Sequence, residues 1–209
     1  LGINVPTGKD SLSMKQKYPN EEVIAPGTVI ISAAGHCNDI TKVVEPVLQT
    51  NKGSIYYINL SQESHELGGS SFAQTLNKVG SKAPSIKDAK QFATIFNTIQ
   101  KLIKNDKIVA GHDVASGGLI TTLLEMCFAD ISLGATIDVS EINEKDTSKL
   151  LFSENAGIVF QAEDNSVEKI LTDANIEFYR IGKVTSNKTL SIKNQHEDLE
   201  LNVSELRDV

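Results

Sequence analysis

Tryptophan is absent from this chain of 209 residues, cysteine occurs only twice, and no basic excess offsets a net charge of −7. Each scarcity removes a class of protein. Two cysteines, Cys37 and Cys127, make no disulfide framework and fit a reducing compartment. An acidic balance without a basic stripe or interleaved aromatics points away from nucleic acid as a partner. The longest apolar run, Val29-Ile30-Ile31 with small neighbours to Ala34, is far too short to span a bilayer. No signal-peptide pattern opens the chain, so the expectation is a soluble, cytoplasmic protein with no membrane partner.

What remains is ordinary for a globular protein of one or two domains: 40% hydrophobic and 22% charged residues, long enough to bury a core without staples. Residues 1 to 25 are polar and turn-rich, with Pro6, Gly8, Pro19 and Asn20. From "GTVIISAAG" (27 to 35) the pattern predicts a buried strand, and "GSIYYINL" (53 to 60) a second. In "HELGGSSFAQTLNKVG" the spacing of Phe72, Leu76 and Val79 predicts a helix closed by Gly80. The strongest helix is "PSIKDAKQFATIFNTIQKLIKN", with Ser85 as cap and a stripe of Phe92, Ile95, Phe96, Ile99, Leu102 and Ile103.

"IVAGHDVASGGLITTLLEMCFAD" reads as strand, turn and buried helix; "GATIDV" and "AGIVFQA" are strands, and "SVEKILTDAN" is an amphipathic helix. "FYRIGKV" and "KTLSIK" predict a closing hairpin around Asn187, and the acidic stretch from Gln195 to Val209 a linker. The expected fold class is therefore α+β or α/β, a mixed β-sheet layered with helices, with the main body over 26–194.

Four stretches could carry chemistry. In "HDVASGG" (112 to 118) glycines after a strand let backbone N–H groups approach an anion at a helix start, and Asp113 suits Mg²⁺. A purely structural reading competes: Ser116 caps the helix, Asp113 completes the turn, and the glycines permit close packing. His112 lacks the second and third ligands that a metal hydrolase needs. "ELGGSSFAQ" (66 to 74) reads as a capped helix start, and "LFSENAG" (151 to 157) as a solvent-facing turn at Glu154. Cys127 sits on an apolar helix and Cys37 has no nucleophile elbow around it, so neither reads as catalytic.

"PTGKDSLSM" (6 to 14) does not match the P-loop pattern. Its residue types leave a plain polar turn and a phosphate loop equally open. In the second case Gly8 admits a phosphate, Lys9 neutralises it, Asp10 holds Mg²⁺ and Ser11 contributes a hydroxyl.

Taken in order, "PTGKDSLSM", "LGGSSFAQ", "HDVASGGLITTLLEMCFA" and "LFSENAGIVFQ" resemble the large, single-chain phosphoribosylformylglycinamidine synthases of purine biosynthesis. The likeness is to the second of their two aminoimidazole ribonucleotide synthetase-like halves. It implies the end of that half's ATP-binding domain over 1–25, its C-terminal domain over 26–194, and a linker toward the next domain over 195–209. The family is a ligase that turns formylglycinamide ribonucleotide, glutamine, ATP and water into the amidine, glutamate, ADP and phosphate. ATP phosphorylates the amide oxygen, and ammonia from a glutaminase domain displaces the phosphate.

The resemblance implies Gly8 near the nucleotide and Ser11 near the small-molecule substrate. Lys9 stands where related enzymes carry a metal-binding asparagine; an ammonium cannot ligate Mg²⁺ and faces phosphate instead. Asp113 matches the aspartate that binds Mg²⁺ at an auxiliary nucleotide site. The family pattern there is His-Asp-x-Ser-Asp-Gly-Gly, so Ala115 replaces the serine and Ser116 is left to offer a hydroxyl to ATP or ADP. The implied partners are the remaining domains of the same polypeptide: the ATP-binding domain, the first synthetase-like half and the glutaminase domain. Two other readings stand beside this one: a non-catalytic structural domain with an auxiliary nucleotide, and a sibling ATP-dependent enzyme of the same superfamily. The string Gly-Lys-Asp-Ser-Leu-Ser-Met speaks against the sibling.

Overall fold

The computed structural model describes residues 2–9, 14–25, 29–195 and 197–208. The chain divides into two compact units, Leu1–Ile40 and Thr41–Val209, later than the expected boundary at 26. In the first unit β1 (Lys15–Lys17) and β2 (Glu22–Ile24) pair antiparallel, a hairpin the sequence did not announce. Tyr18 N–H donates to Glu21 O at 2.8 Å to close its turn, and every residue of both strands is exposed.

The run Val29-Ile30-Ile31 forms no strand and is 84, 88 and 83% exposed, which corrects the expected buried strand over 27–35. β-branched residues favour a pleated, half-buried surface, and among the described residues this unit supplies no such surface beside them. Residues 27 and 28 of that prediction lie outside the described residues.

The second unit carries β3 (Ser54–Asn59), α1 (Ser71–Thr75), α2 (Ala89–Lys104), β4 (Ala110–Val114) and α3 (Gly118–Phe128). It continues through β5 (Gly134–Asp138), α4 (Thr147–Phe152), β6 (Gly157–Ala162), α5 (Ser166–Asp173), β7 (Tyr179–Thr185), β8 (Thr189–Lys193), β9 (Asp198–Asn202) and α6 (Val203–Arg207). Its sheet has seven strands in the order β4-β6-β3-β7-β5-β8-β9, antiparallel except for the parallel pair β5–β8. This is the mixed sheet layered with helices that the alternating pattern predicts.

β3 explains why helices cover both faces. Its alternate residues enter different cores: Ile55 and Tyr57 pack with α3, α4 and α6, whereas Tyr56 and Ile58 pack with α2 and α5. A strand buried on both faces reads as a continuous apolar run, as "IYYI" does. Tyr56 lies directly opposite Phe160 of β6, and their rings stack at 5.3 Å. Its hydroxyl donates to Glu168 Oε1 at 2.9 Å; burial first, then that bond, pushes the phenol up to about 12.

α2 buries Ile95, Ile99 and Leu102 as its stripe predicts, but Phe96 is 50% exposed. Its cap is Asp88 rather than Ser85: the carboxylate accepts from Lys90 N–H at 2.7 Å and Gln91 N–H at 3.2 Å. The helix expected to run through Leu76 and Val79 stops at Thr75, because Asn77 turns left-handed at φ 53°; both apolar side chains are exposed.

Two further expectations fail at the C-terminal end. β7 and β8 do not pair as a hairpin around Asn187; β5 lies between them, antiparallel to β7 and parallel to β8. The link crosses the start of β5 at Gly134, where a Cβ would lie 2.1 Å from Thr189 O. Only a residue without a side chain allows that crossing. The expected linker over 195–209 is structured instead. In β9, Asp198 and Glu200 are exposed while Leu199 and Leu201 pack against the core, and Val203 is fully buried. Asn202 caps α6 by accepting from Ser204 N–H at 3.1 Å and Glu205 N–H at 3.3 Å. A period-two pattern was present in an acid-rich stretch whose charge masked it.

Gly134→Ala is expected to lower the unfolding free energy by about 1–3 kcal/mol in urea denaturation, because backbone rather than a flexible side chain must move. Gly111 gives the contrast: its added Cβ meets only ordinary contacts from 3.5 Å. Gly111→Ala is expected to change stability by about 0.5 kcal/mol or less.

Candidate functional site

The turn between β4 and α3 is built by two consecutive left-handed glycines, Gly117 at φ 87° and Gly118 at φ 76°. Both are obligatory here: a Cβ on Gly117 would lie 2.3 Å from Thr121 Oγ1, and one on Gly118 2.6 Å from Leu151 O. Thr122 Oγ1 lies 3.2 Å from Asp113 O and 3.2 Å from Gly118 O, so it pins the strand end to the helix. His112 and Asp113 belong to the strand itself, which runs on to Val114 beyond the expected "IVA".

Asp113 presents a side chain that is 79% exposed. His112 is held beside it, with Nδ1 3.4 Å from Asp113 Oδ1 and Nε2 3.2 Å from Glu125 Oε2. Ser116 is exposed and does not cap α3; the capping position is Gly117. That removes the structural role first open to Ser116. The helix start is satisfied from elsewhere: Gly117 N–H donates to Glu154 Oε1 at 2.9 Å.

The second glycine-rich stretch meets the same atom. Gly68 N–H donates to Lys82 O at 2.7 Å and Gly69 N–H to Val79 O at 2.6 Å, which folds the 67–70 turn against the 79–82 segment. Ser70 caps α1 by accepting from Ala73 N–H at 3.2 Å, and Ser71 N–H donates to Glu154 Oε1 at 2.8 Å. Glu154 is therefore no solvent-facing turn residue but the junction of both glycine-rich turns.

Its neighbours anchor it. Ser153 and Asn155 are 2% and 1% exposed. Asn155 Nδ2 donates to Ser61 Oγ at 2.8 Å and Ser64 O at 3.1 Å, and Ser153 Oγ donates to Glu66 O at 3.1 Å. Phe152 stacks on Phe72 of α1 at 4.6 Å. In sequence these residues read as a solvent-facing turn. The signal that could have found them is the tripeptide Ser-Glu-Asn, three hydrogen-bonding side chains between an apolar helix end and an apolar strand.

Gly8 and Lys9 lie in the first unit and are exposed; Asp10 and Ser11 lie outside the described residues. Among the described residues no group of three or more His, Cys, Asp or Glu side chains could hold a metal by itself. A lone exposed carboxylate such as Asp113 still fits Mg²⁺, which takes one or two carboxylates and completes its shell with water and phosphate oxygens. Cys127 is buried and its thiol is pushed up to about 11 by burial, so it packs as a small hydrophobe; Cys37 is exposed.

Two cavities flank these elements. One of about 310 Å³ is lined by Leu67, Gly68, Phe72, Lys78, Lys82 and Lys149. The other, about 670 Å³, is lined by Asn59, Ser64, His65, Gln91, Asn175 and Tyr179, among others. His65 is buried, its Nδ1 is 3.9 Å from Glu144 Oε2, and its Nε2 has no hydrogen-bond partner among the described residues.

An open mixed sheet with helices on both faces, and a glycine-rich strand–helix turn beside an exposed aspartate on the edge strand, define the class: an α+β domain. The chain belongs to the family described as AIR synthase related protein, C-terminal domain, whose model matches residues 55–194. It is 36% identical over 187 residues to human phosphoribosylformylglycinamidine synthase, covering 87% of this chain and 14% of that protein. It is 35% identical over 200 residues to an Arabidopsis thaliana protein named "Probable phosphoribosylformylglycinamidine synthase, chloroplastic/mitochondrial", covering 92% of this chain and 14% of that one. The chain thus spans about one seventh of the length of these relatives. Among solved structures it resembles Thermotoga maritima PurL complexed with FGAR (TM-score 0.64, 12% identity, 80% of this chain and 30% of that one). It also resembles the same protein complexed with ATP (TM-score 0.58, 12% identity, 80% of this chain and 28% of that one). Those two likenesses are of fold. Among the described residues no helix is long and apolar enough to cross a membrane.

Burial lowers the His65 pKa below its ordinary 6.5, with nearby Lys149 adding to the effect and Glu144 opposing it. The folded chain therefore binds this proton less readily than the unfolded chain, and the associated stability is present above about pH 6.5 and lost as pH falls through the lowered value. Urea denaturation at about pH 7.5 and 5 is expected to show a larger loss for the wild type than for His65→Gln. Equal losses would remove His65 from the account.

Proposed function

We propose that this chain is the C-terminal domain of the second synthetase-like half of a phosphoribosylformylglycinamidine synthase, preceded by the end of that half's ATP-binding domain. The observation that carries the reading is sequence identity of 35–36% across 87–92% of the chain to proteins of that name. On this reading the chain works as part of a carbon–nitrogen ligase with glutamine as amido donor, in the cytoplasm. Its partners are the ATP-binding domain, the first half and the glutaminase domain of the same polypeptide.

Each residue then has a task its chemistry suits. Gly8 leaves space beside the nucleotide, and the Lys9 ammonium faces phosphate. Ser11 offers its hydroxyl to the formylglycinamide ribonucleotide, and Asp10 is a second carboxylate for metal. Asp113 and Ser116 face a different, auxiliary nucleotide, ATP or ADP, from the end of β4. Bound Mg²⁺ would supply positive charge to phosphoryl oxygens as charge shifts in the transfer. The second unit's own contribution is to hold the Asp113 carboxylate at a fixed point on β4, the edge strand of the sheet.

On this reading the auxiliary nucleotide has a structural role, and Asp113, which belongs to no group of three or more metal-ligating side chains among the described residues, shares the Mg²⁺ that the nucleotide brings. The test is Ser11→Ala and Asp113→Ala in the intact enzyme. Ser11→Ala is expected to lower turnover at least about tenfold, a loss of one transition-state contact. Asp113→Ala is expected to lower the melting temperature and leave turnover near that of wild type. The opposite pattern would overturn the assignment, as would amidine formation from glutamine or ammonia by this chain alone.

A further inference from the structure

The two glycine-rich turns share one acceptor. Glu154 Oε1 receives Ser71 N–H at 2.8 Å and Gly117 N–H at 2.9 Å. These turns come from distant parts of the chain, one at the start of α1 and the other at the start of α3. The arm that carries the carboxylate has little freedom. Ser153 and Asn155 are buried on either side of it and bonded to the 61–66 segment. Gly118 abuts Leu151 O so closely that no Cβ fits between them. If the 115–118 turn moves, Glu154 must either release one N–H or carry the other turn with it.

We propose that Glu154 is a positioning residue that couples the nucleotide turn at Asp113–Gly118 to the 67–71 turn, whose Leu67 and Gly68 wall the 310 Å³ cavity. The proposal rests on the nucleotide reading above and extends it: occupancy at Asp113 and Ser116 is registered at a cavity those residues do not line. Reach decides whether both N–H groups are met, and charge sets only how strongly. A carboxylate bonded to backbone N–H groups makes stronger bonds than a neutral acceptor, and one methylene less on the arm would not reach both donors from the same backbone position.

The test follows backbone amides of the 209-residue chain by nitrogen-15 NMR during titration with ADP and Mg²⁺. In the wild type the Gly117 and Ser71 signals are expected to shift with one midpoint. In Glu154→Ala the Ser71 signal is expected to stay still, and ADP affinity to fall about tenfold. Glu154→Gln, whose carbonyl oxygen can accept both N–H groups, is expected to restore the joint response, a rescue that general loosening of the fold would not give. A wild-type Ser71 signal that ignores ADP while Gly117 responds would overturn the coupling, and so would a Ser71 response that survives in Glu154→Ala.

If no amide responds to ADP and Mg²⁺, the nucleotide reading fails, and the brace is judged by amide hydrogen exchange alone. Loss of protection at Ser71 and Gly117 together in Glu154→Ala would uphold it, and loss at one or neither would overturn it. Should Glu154→Ala lack a cooperative melt, Glu154→Asp takes its place in both arms, with the charge kept and the reach shortened.

Discussion

A single carboxylate oxygen, Glu154 Oε1, accepts the first N–H of one helix and the N-cap N–H of another. Helix starts leave N–H groups without intrahelical partners, and each must find an acceptor. Here one charged acceptor serves two starts, with net bonds of about 1.5–3 kcal/mol each for charge-assisted pairs. The half-buried position of Glu154 keeps desolvation of the carboxylate modest while limiting competition from water. Neither turn supplies its own solution: Gly117 has no side chain, and Ser70 spends its hydroxyl on Ala73. The geometry of the candidate site therefore depends on a residue that belongs to neither turn.

The sheet makes that arrangement rigid. Ser153 to Asn155 run directly into β6, which pairs with both β3 and β4. The turn before α1 follows β3, and the turn before α3 follows β4. Three neighbouring strands thus deliver three loops to one end of the sheet, where the polar side chains meet. Burial of β3 on both faces holds the strands at fixed spacing, and the stacked Tyr56–Phe160 pair locks the β3–β6 register. A shift of one residue there would turn Asn155 and Glu154 away from their partners.

The elements legible in the sequence are those whose signal is local and periodic. "SIYYIN" and "GIVFQA" fall within a residue of where the pattern puts them, and Ile95, Ile99 and Leu102 of the α2 stripe are buried as expected although the helix starts three residues later. What was not legible depends on partners far along the chain. Val29-Ile30-Ile31 has strand propensity with no strand to join, and Gly134 admits a crossing that separates β7 from β8. In β9 acidic residues hide an alternation that only the neighbouring β8 makes meaningful. The site divides the same way. Asp113 and the Gly117–Gly118 pair can be read from strand, turn and helix signals, whereas Glu154 gains meaning only when Ser71 and Gly117 are brought to it.

The charge at this end of the sheet bears on what can bind there. The N-terminal end of α3 is the natural place for a phosphate, but its leading N–H already faces the Glu154 carboxylate. Asp113 stands exposed at the end of the preceding strand, Glu125 lies beside His112, and the chain as a whole carries −7. A bare phosphate approaching this turn would meet repulsion without the compensating backbone cradle. A phosphate carrying a divalent cation would meet a carboxylate able to share that cation. On the proposed reading, the turn selects metal-bound nucleotide through the acid that braces it and the acid that faces outward. The lone aspartate then suffices: it need not assemble a metal site, because the nucleotide brings the other ligands with it.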